Sequence, residues 1–542
     1  MRGPRAERPI ALLALGIGLF VLCVIIAGVI WFQLDPGRSA SKKTSTANGD
    51  WVWMPPARDR GKAPIIAPSP FLGPLPLAAR SWWESRGPER LVIDQVCLVP
   101  DVPTFLAAIG EWNDRIYFPI LIDNPAWTLP FLRAFRPSRV IRLPARALPG
   151  GREALWSAAA RAVGRSWSPF GRSESEPQDG SRVPTGLGRT PPGVVLSEPE
   201  SSSLAGGVAL AAGRFQPLVR FEPWKRGDAT DDREPRQSSD RGIGFSTVLS
   251  LAEARSFSRR LEDRIATVVS DYRGLGDSCD FLTLAGEWPF RYLNDRETGP
   301  ARGEAALDDL IARNVESELA NVGKSKDRWA FAGRLLGDAP ASVYRAMCAL
   351  FLPPDAAVLW NTYGGSEPWN HYGMNQADEI LSRVISGPIR HRAGMDANLV
   401  NWHQVTANSA DQTRLVFFNS SGEPKRFAIA GGSGRPADIP PGGPSAVIMI
   451  HSFSAANPND PRTIAGRWLL MGAFTYYGSI NEPYLSSFRR PALETELLAA
   501  GVPMAAAVRE GSGEPFGQPW RLVYLGDPLY RLGIRTTRSD RD

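Results

Sequence analysis

Histidine and cysteine are both scarce in this chain, which has four of each among its 542 residues. Cys23, Cys97, Cys279 and Cys348 are too few and too widely spaced for a disulfide framework or a zinc site. We expect buried thiols at the last three positions, with a Cys279–Cys348 bridge as the alternative. Four histidines also leave few candidates for imidazole chemistry, and we predict neither a metal nor a cofactor.

A strong excess of charge of one sign is also missing. The chain has 62 Lys and Arg against 56 Asp and Glu, a formal net charge of +6. Proteins that bind nucleic acid concentrate basic residues on one face, so we predict no nucleic-acid partner. A composition of 43% hydrophobic and 22% charged residues is ordinary for globular proteins and excludes a fibrous or wholly disordered chain.

One long apolar run is present, at residues 10–32, and it contains no charged residue. As a helix it would be roughly 34 Å long, enough to cross a hydrocarbon core of about 30 Å. A cleaved signal peptide, the alternative, has a shorter apolar run of about 7–15 residues. The pattern therefore predicts a single-pass signal anchor within residues 1–35. Basic residues flank the run almost equally on both sides, and we expect the bulk of the chain to be extracytoplasmic.

The rest of the chain alternates predicted strands and helices, which favours an α/β fold with mainly parallel sheets. Proline-rich and polar stretches divide it. We predict a stalk at 36–90, a first α/β domain at 91–224 with a disordered insertion at 166–192, a polar linker at 225–241, a second α/β domain at 242–534 and a tail at 535–542.

Ligands of parallel α/β sheets bind beyond the carboxyl ends of the strands. The segments TRLVFFNSSG and SAVIMIHSFSA in the second domain are predicted strands of this kind, and they contain the runs LVFFN and VIMI. The residues that follow them, Ser420-Ser421-Gly422 and His451-Ser452-Phe453-Ser454, are therefore the first candidates for a functional site.

The order of elements around these strands resembles the caspase-like fold of the gingipain-type cysteine peptidases. The segments LVFFNSSG, VIMIHSFSA, AGRWLLMGAFTYYGS and LVYLGDPLYRL carry the resemblance, which covers about residues 280–532. It implies that the family's catalytic histidine falls on Ser421 and its cysteine on about Ser452 or Ser454. A peptidase of this type needs an imidazole to form the thiolate and to reprotonate the leaving amine. The resemblance therefore implies the fold without the activity.

A serine-type hydrolase is the alternative, with His451 as base and Ser452, Ser454 or Ser421 as nucleophile. Adjacent strand residues point to opposite faces, so His451 and Ser452 are not expected to pair directly. An orienting acid would also be needed. The acids available near the strand ends are Asp460, Glu482 and Asp527. The simpler interpretation is that His451 forms a local hydrogen bond at its strand end.

Other polar residues in loops after strands are weaker candidates. Asn481, Glu482 and Asp527 are candidate ligand-binding residues, although such residues more often stabilise turns and cap helices. The same applies to Asp123 and Asn124 in the first domain. The loop GGSEPWNHYG at residues 364–373 has the composition of a carbohydrate- or peptide-stacking loop.

These observations together predict a membrane-anchored, extracytoplasmic protein with a degenerate peptidase-like domain. Its partners would be the lipid bilayer, through residues 10–32, and a peptide, glycan or envelope protein bound at the sheet edge. A structural role in envelope assembly, through the stalk and the tryptophan-rich surface, is a further possibility.

Overall fold

The computed structural model of the chain describes most of the predicted α/β region. The described residues are 57–58, 90–147, 150–169, 179–182, 190–221, 245–269, 272, 274–294, 303–313, 328–407, 411–509 and 519–533. The predicted anchor at 10–32, most of the stalk and of the insertion at 166–192, the linker at 225–241 and the tail lie outside them. Within the described part, no helix is both long and apolar enough to cross a membrane.

The strands are short and follow the apolar runs of the sequence. In chain order they are β1 Ala57–Arg58, β2 Leu91–Ile93, β3 Gln95–Val99, β4 Ile116–Tyr117, β5 Ile120–Ile122, β6 Arg139–Arg142, β7 Gly193–Ser197, β8 Leu218–Arg220, β9 Val248–Ser250, β10 Phe281–Ala285, β11 Arg291–Asn294, β12 Gly303–Ala306, β13 Phe331–Arg334, β14 Ala356–Asn361, β15 Ile389–Ala393, β16 Arg414–Asn419, β17 Gly422–Glu423, β18 Arg426–Ile429, β19 Gly432–Gly434, β20 Ser445–Ile450, β21 Ala473–Ser479 and β22 Leu522–Leu525.

Helices separate most of these strands. They are α1 Val102–Ile109, α2 Pro125–Phe135, α3 Arg152–Ser166, α4 Leu204–Arg214, α5 Leu251–Ala266, α6 Leu307–Ile311, α7 Ala339–Phe351, α8 Asn375–Val384, α9 Leu399–Thr406, α10 Ile464–Leu470, α11 Pro491–Ala499 and α12 Met504–Ala507.

A ten-stranded sheet lies at the centre, in the order β15-β14-β16-β20-β21-β22-β13-β10-β7-β8. Its neighbouring strands are parallel except for β21 and β22, which are antiparallel. The sheet therefore has a first half, β15 to β21, and a second half, β22 to β8, that run in opposite directions. This confirms a mixed α/β fold with mainly parallel strands. The carboxyl ends of the first half share one sheet edge with the amino ends of the second half.

The amino-terminal part of the described chain adds a small parallel sheet, β5-β3-β6. Its helix α1 begins at Val102, because the Asp101 side chain caps it by accepting a hydrogen bond from the Thr104 amide. Strands β7 and β8, which precede the polar linker, pair with β10 beyond it in the central sheet. One sheet thus takes strands from both sides of residues 225–241, and the domain boundaries themselves stay a prediction.

The residue pattern predicts helix over residues 247–272 and 303–322, but both segments begin as strand. Residues 248–250 form β9 and residues 303–306 form β12, and both belong to a small sheet with β11. The first difference has a local cause. The Ser250 side chain and Glu253 form a capping box that begins helix α5 at Leu251, so the preceding residues lie outside the helix.

The core under the first half is rich in aromatic side chains. Trp402 lies edge-to-face with Trp360 and with Phe418, at ring-centroid distances of 5.0 and 5.1 Å, and also contacts Trp468. All four side chains are buried.

The three cysteines in the described part of the chain are free and buried rather than bridged. Cys97 lies in β3, Cys279 precedes β10 and Cys348 lies in helix α7. Burial raises the pKa of Cys97 to about 12 and raises that of the other two well above the ordinary value. These thiols are therefore protonated and unreactive at neutral pH.

Candidate functional site

The two strands that carry the candidate residues are parallel neighbours, as the sequence predicts. Asn419, the last residue of β16, lies opposite Ile450, the last residue of β20. The chain after both strands is held together by Tyr363, whose hydroxyl lies 2.9 Å from the Ser420 carbonyl and 3.2 Å from the Ile450 carbonyl. Ser421 and Ser452 therefore follow neighbouring strands at one edge of the sheet.

His451 is the buried polar residue of this edge, with 1% of its surface exposed. Its Nε2 lies 3.1 Å from the Arg426 carbonyl oxygen, and its Nδ1 has no hydrogen-bond partner among the described residues. Because a carbonyl only accepts, Nε2 carries the proton. Burial lowers the pKa of His451 to about 4, an effect that the backbone of Arg426 and Ser452 only partly opposes. The ring is therefore neutral at pH 7.

A small hairpin sheet, β17-β18-β19, covers this histidine. It is attached to the strand end because the Ala428 amide donates to the Ser421 carbonyl and the Ser420 hydroxyl donates to the Ala428 carbonyl. Gly422 lies so close that a Cβ there would be 2.8 Å from His451 Nε2 and 2.2 Å from the Arg426 carbonyl oxygen. Only glycine fits this position, and the hairpin separates the imidazole from solvent.

The three serines differ in their surroundings. Ser421 is exposed and Ser452 is half-buried, and neither hydroxyl has a hydrogen bond within the described part of the chain. Ser454 is buried, and its Oγ lies 3.4 Å from the Ser479 amide, which donates to it. No hydrogen bond among the described residues joins a serine hydroxyl to the His451 ring. The geometry expected of a serine hydrolase, a hydroxyl within about 3.2 Å of the base, is not observed here.

Asn481 and Glu482 lie at the same edge, directly after β21, and their side chains organise the loop. Asn481 Oδ1 accepts from the Glu482 amide at 2.8 Å, and Glu482 Oε1 accepts from the Tyr484 amide at 2.9 Å. The second contact helps to hold Tyr484 at a φ of 62°, a left-handed backbone conformation. Both residues thus form the turn contacts expected of polar loop residues, and a role in ligand binding stays a prediction.

Asp527 lies elsewhere. Because β22 is antiparallel to β21, the residues after β22 lie at the opposite edge of the sheet. The Asp527 carboxylate is buried and pairs with Arg214, whose Nη2 lies 2.6 Å from Oδ2. It also accepts a hydrogen bond from the Leu529 amide. The structure therefore does not bring Asp527 together with Asn481 and Glu482.

Two further candidates have structural roles in the described chain. The Asn124 side chain caps helix α2 by accepting from the Ala126 amide, and Asp123 contacts Thr128 and Arg142. Asp460 forms an ion pair with Arg462 and has no contact with His451 among the described hydrogen bonds. In the described residues, no group of three or more His, Cys, Asp or Glu side chains could hold a metal ion.

Sequence reasoning does not identify the tyrosines that organise this edge. The side-chain amide of Asn419 donates to the Tyr372 carbonyl at 2.7 Å. The Tyr372 hydroxyl in turn contacts the carbonyl oxygens of Leu485 and Phe488. The loop at residues 364–373 is thereby joined to the loop after β21. Each loop presents one aromatic ring to solvent, Trp369 and Tyr484, both 43% exposed.

No protein-family model matches the chain, and no curated protein matches its sequence. Two solved structures are similar to it. One is gingipain R, an Arg-specific cysteine proteinase, with 10% sequence identity and a TM-score of 0.36 over 53% of this chain and 69% of the other. The second is described only as a protease, with 10% identity and a TM-score of 0.39 over 63% of this chain and 78% of the other. Structures of the gingipain and protease type are thus distant fold neighbours of part of this chain.

Proposed function

We propose that this chain is a membrane-anchored, extracytoplasmic protein whose caspase- or gingipain-like domain binds a peptide, glycan or envelope protein without cleaving it. It would act in binding or scaffolding at the cell envelope. The observation that carries the non-catalytic part is the hydrogen bond from His451 Nε2 to the Arg426 carbonyl, beneath the hairpin β17-β18-β19.

The chemistry of His451 supports binding over hydrolysis. A general base must accept a proton through a nitrogen lone pair that faces the nucleophile. Nε2 already donates to a carbonyl, and Nδ1 is buried without a hydroxyl beside it among the described residues. No described residue therefore serves Ser452 or Ser421 as a base, and a serine hydroxyl alone is a weak nucleophile at neutral pH.

The same edge offers features suited to a ligand that is held and not cut. Trp369 and Tyr484 expose flat aromatic surfaces on two loops that the Tyr372 hydroxyl joins. Aromatic rings of this kind stack on sugars, prolines and peptide groups, and the rigid loops lower the entropy lost on binding. We infer that these two rings, together with the exposed Ser421, contact the ligand.

A serine-directed fluorophosphonate probe tests the catalytic alternative on the full-length chain. We expect mass spectrometry to find no adduct on Ser421, Ser452 or Ser454. An adduct on Ser452 that disappears in His451→Ala and in Ser452→Ala would show that a serine hydrolase operates here and would overturn the non-catalytic proposal.

Glycan and peptide arrays test the binding part. Trp369→Ala and Tyr484→Ala should each weaken any saturable binding at least about tenfold, which corresponds to about 1.4 kcal/mol. Leu129→Ala, which removes an exposed apolar side chain from helix α2, is the matched control and should leave binding unchanged. Equal losses in all three variants would contradict a role for the two rings.

Membrane anchoring can be tested separately. The full-length chain should stay in the membrane fraction after alkaline carbonate extraction, and a variant without residues 1–35 should be released. A phosphatase reporter, active only outside the cytoplasm, joined after residue 90 should be active. An inactive reporter would contradict the extracytoplasmic assignment, and complete extraction of the intact chain would contradict the anchor.

A further inference from the structure

Two loops at the carboxyl ends of the first half share one sequence pattern, a glutamate, a proline and an aromatic residue. The first copy is Glu367-Pro368-Trp369, in the loop after β14, and the second is Glu482-Pro483-Tyr484, in the loop after β21. The Tyr372 hydroxyl of the first loop contacts backbone carbonyls of the second. Each loop therefore carries a carboxylate two residues before an aromatic ring that is 43% exposed.

The carboxylate of Glu367 is held in place by two neighbours in its own loop. Its Oε1 accepts a hydrogen bond from the side-chain amide of Asn370 at 2.8 Å, and its Oε2 lies 2.9 Å from His371 Nε2. The Glu367 side chain nevertheless keeps 66% of its surface exposed. Because an ionised carboxylate has about four acceptor positions, this group can bind a further donor that approaches from solvent.

The carboxylate of Glu482 is fixed by the backbone of its own loop. Its Oε1 accepts from the Tyr484 amide at 2.9 Å, which ties the carboxylate to the residue that carries the exposed ring. Arg521 approaches the same glutamate from its backbone side, where the guanidinium donates to the Glu482 carbonyl. The glutamate is half-buried. Both loops therefore hold a carboxylate and an exposed aromatic ring in a fixed local arrangement.

We propose that these two loops bind a glycan whose sugars carry free amino groups in the protonated, ammonium form. An ammonium group is attracted to the face of an aromatic ring and to a carboxylate, and each loop supplies one of each. The apolar face of a sugar ring can also stack on Trp369 or Tyr484. This ligand class rests on the proposed binding function and narrows it from a peptide, glycan or envelope protein to a cationic glycan.

The surroundings of the first ring favour an amino sugar over the basic side chain of a peptide. The residues that follow Trp369 are Asn370 and His371, and both side chains are exposed. Amide and imidazole groups can donate and accept hydrogen bonds, so they suit the hydroxyl groups of a sugar. A lysine side chain has only its ammonium group and an apolar stem to offer, and it would leave these two polar groups to water.

Isothermal titration calorimetry on the full-length chain can compare two oligosaccharides that differ only at the amino group. The probes are a tetramer of glucosamine and a tetramer of N-acetylglucosamine, titrated at about pH 6 in a detergent without a sugar headgroup. We expect saturable binding of the glucosamine tetramer, at least about tenfold tighter than that of the acetylated tetramer, because acetylation removes the positive charge. Added salt should weaken binding of the glucosamine tetramer, since exposed charges are screened.

Glu367→Gln and Glu482→Gln remove the two negative charges one at a time. Glutamine keeps an oxygen that can accept the local hydrogen bond from Asn370 or from the Tyr484 amide, so both variants should fold. Each should weaken binding of the glucosamine tetramer at least about fivefold and leave binding of the acetylated tetramer unchanged. Glu379→Gln, which changes an exposed glutamate on helix α8, is the matched control and should bind both tetramers like the unmodified chain.

The outcomes separate the ligand class from the binding function itself. Equal affinity for the two tetramers, or equal affinity of the three glutamine variants for the glucosamine tetramer, would overturn the cationic glycan and leave the binding function in place. Tighter binding of a lysine tetramer than of either sugar would also overturn it and would assign the two loops to a basic peptide. If none of these probes binds and the glycan and peptide arrays yield no ligand, the proposed binding function fails as well.

Discussion

The two halves of the central sheet differ in the polar side chains at the carboxyl ends of their strands. In the first half the strands end in uncharged groups, Asn361, Asn419, His451 and Ser479, which bond mainly to backbone. In the second half, β13 ends in Arg334, paired with Asp308, and β22 is followed by Asp527, paired with Arg214. Both edges bury polar atoms, and the ion pairs Arg334–Asp308 and Arg214–Asp527 belong to the carboxyl ends of the second half.

The difference follows from the presence or absence of a partner. Burial disfavours the charged form of any group, and an opposite charge nearby restores it. Among the described residues, the groups that oppose the burial of His451 are backbone groups of Arg426 and Ser452, and burial outweighs them, so the ring loses its charge. Glu494, in helix α11, is buried with no hydrogen bond to either oxygen among the described residues, and burial raises its pKa to about 8 although Arg489 opposes this effect. A buried histidine or glutamate therefore does not by itself indicate catalysis. It does so only when a charged or hydrogen-bonding partner lies beside it.

The largest expected effect lies in the second half. Asp308→Ala removes the partner of Arg334, which has no exposed surface. An uncompensated buried guanidinium should lower the free energy of unfolding by about 3–5 kcal/mol. Urea unfolding followed by tryptophan fluorescence would measure the loss.

The double variant Asp308→Ala with Arg334→Met is the control for that change. Because it removes both charges and fills the space with an apolar chain, it should recover much of the stability. A double variant as unstable as Asp308→Ala would mean that the missing ion pair itself, and not the unpaired charge of Arg334, accounts for the loss of stability.

The sequence predicts the first half better than the second. The apolar runs LVFF and AVIMI identify β16 and β20, which are parallel neighbours and therefore end at one edge of the sheet. The direction of β22 has no comparable signal, so the sequence groups Asp527 with Asn481 and Glu482 although it lies at the opposite edge. Its partner Arg214 is 313 residues away in the chain.

The partner of His451 is equally difficult to predict. The Arg426 carbonyl belongs to a hairpin whose sequence, GEPKRFAIAGGSG, is typical of a surface loop. A backbone group carries no residue-type signal at all. The sequence can therefore predict that His451 forms a hydrogen bond at its strand end, but not that the partner lies 25 residues earlier, in a hairpin that covers it.

The second expected effect concerns Glu494 in alkaline solution. Its pKa is about 8 in the folded chain against an ordinary value of 4.5. The folded state therefore keeps its proton to a higher pH than the unfolded state does. The contribution of protonated Glu494 to stability is fully present below pH 4.5 and should be lost as the pH rises to about 8.

Glu494→Gln, which cannot ionise, should remove this part of the pH dependence. Each pKa unit corresponds to about 1.4 kcal/mol, so the unmodified chain should lose roughly 4 kcal/mol more than the variant between pH 5 and pH 9. Unfolding midpoints at both pH values check this. Parallel pH profiles for the two proteins would show that Glu494 stays ionised in the fold.

The third effect has the opposite sign and concerns His451 in acid. The pKa of His451 is lowered to about 4 from an ordinary value of 6.5. Its contribution to stability is complete above pH 6.5 and should be lost as the pH falls to 4, by roughly 3 kcal/mol. His451→Gln should flatten the profile in this range, whereas His403→Gln, which changes an exposed histidine, should not.

The smallest expected effect separates two serines that the sequence does not distinguish. Ser452→Ala should change the free energy of unfolding by less than about 0.5 kcal/mol, because its half-buried hydroxyl has no hydrogen bond within the described chain. Ser454→Ala should cost about 1 kcal/mol, because the buried Ser479 amide loses an acceptor. Urea unfolding of both variants at pH 7 provides the comparison. A Ser452 variant as unstable as the Ser454 variant would mean that the Ser452 hydroxyl has a partner in the folded chain. The carboxyl ends of the first half would then position a nucleophile, and the serine-hydrolase alternative would gain support.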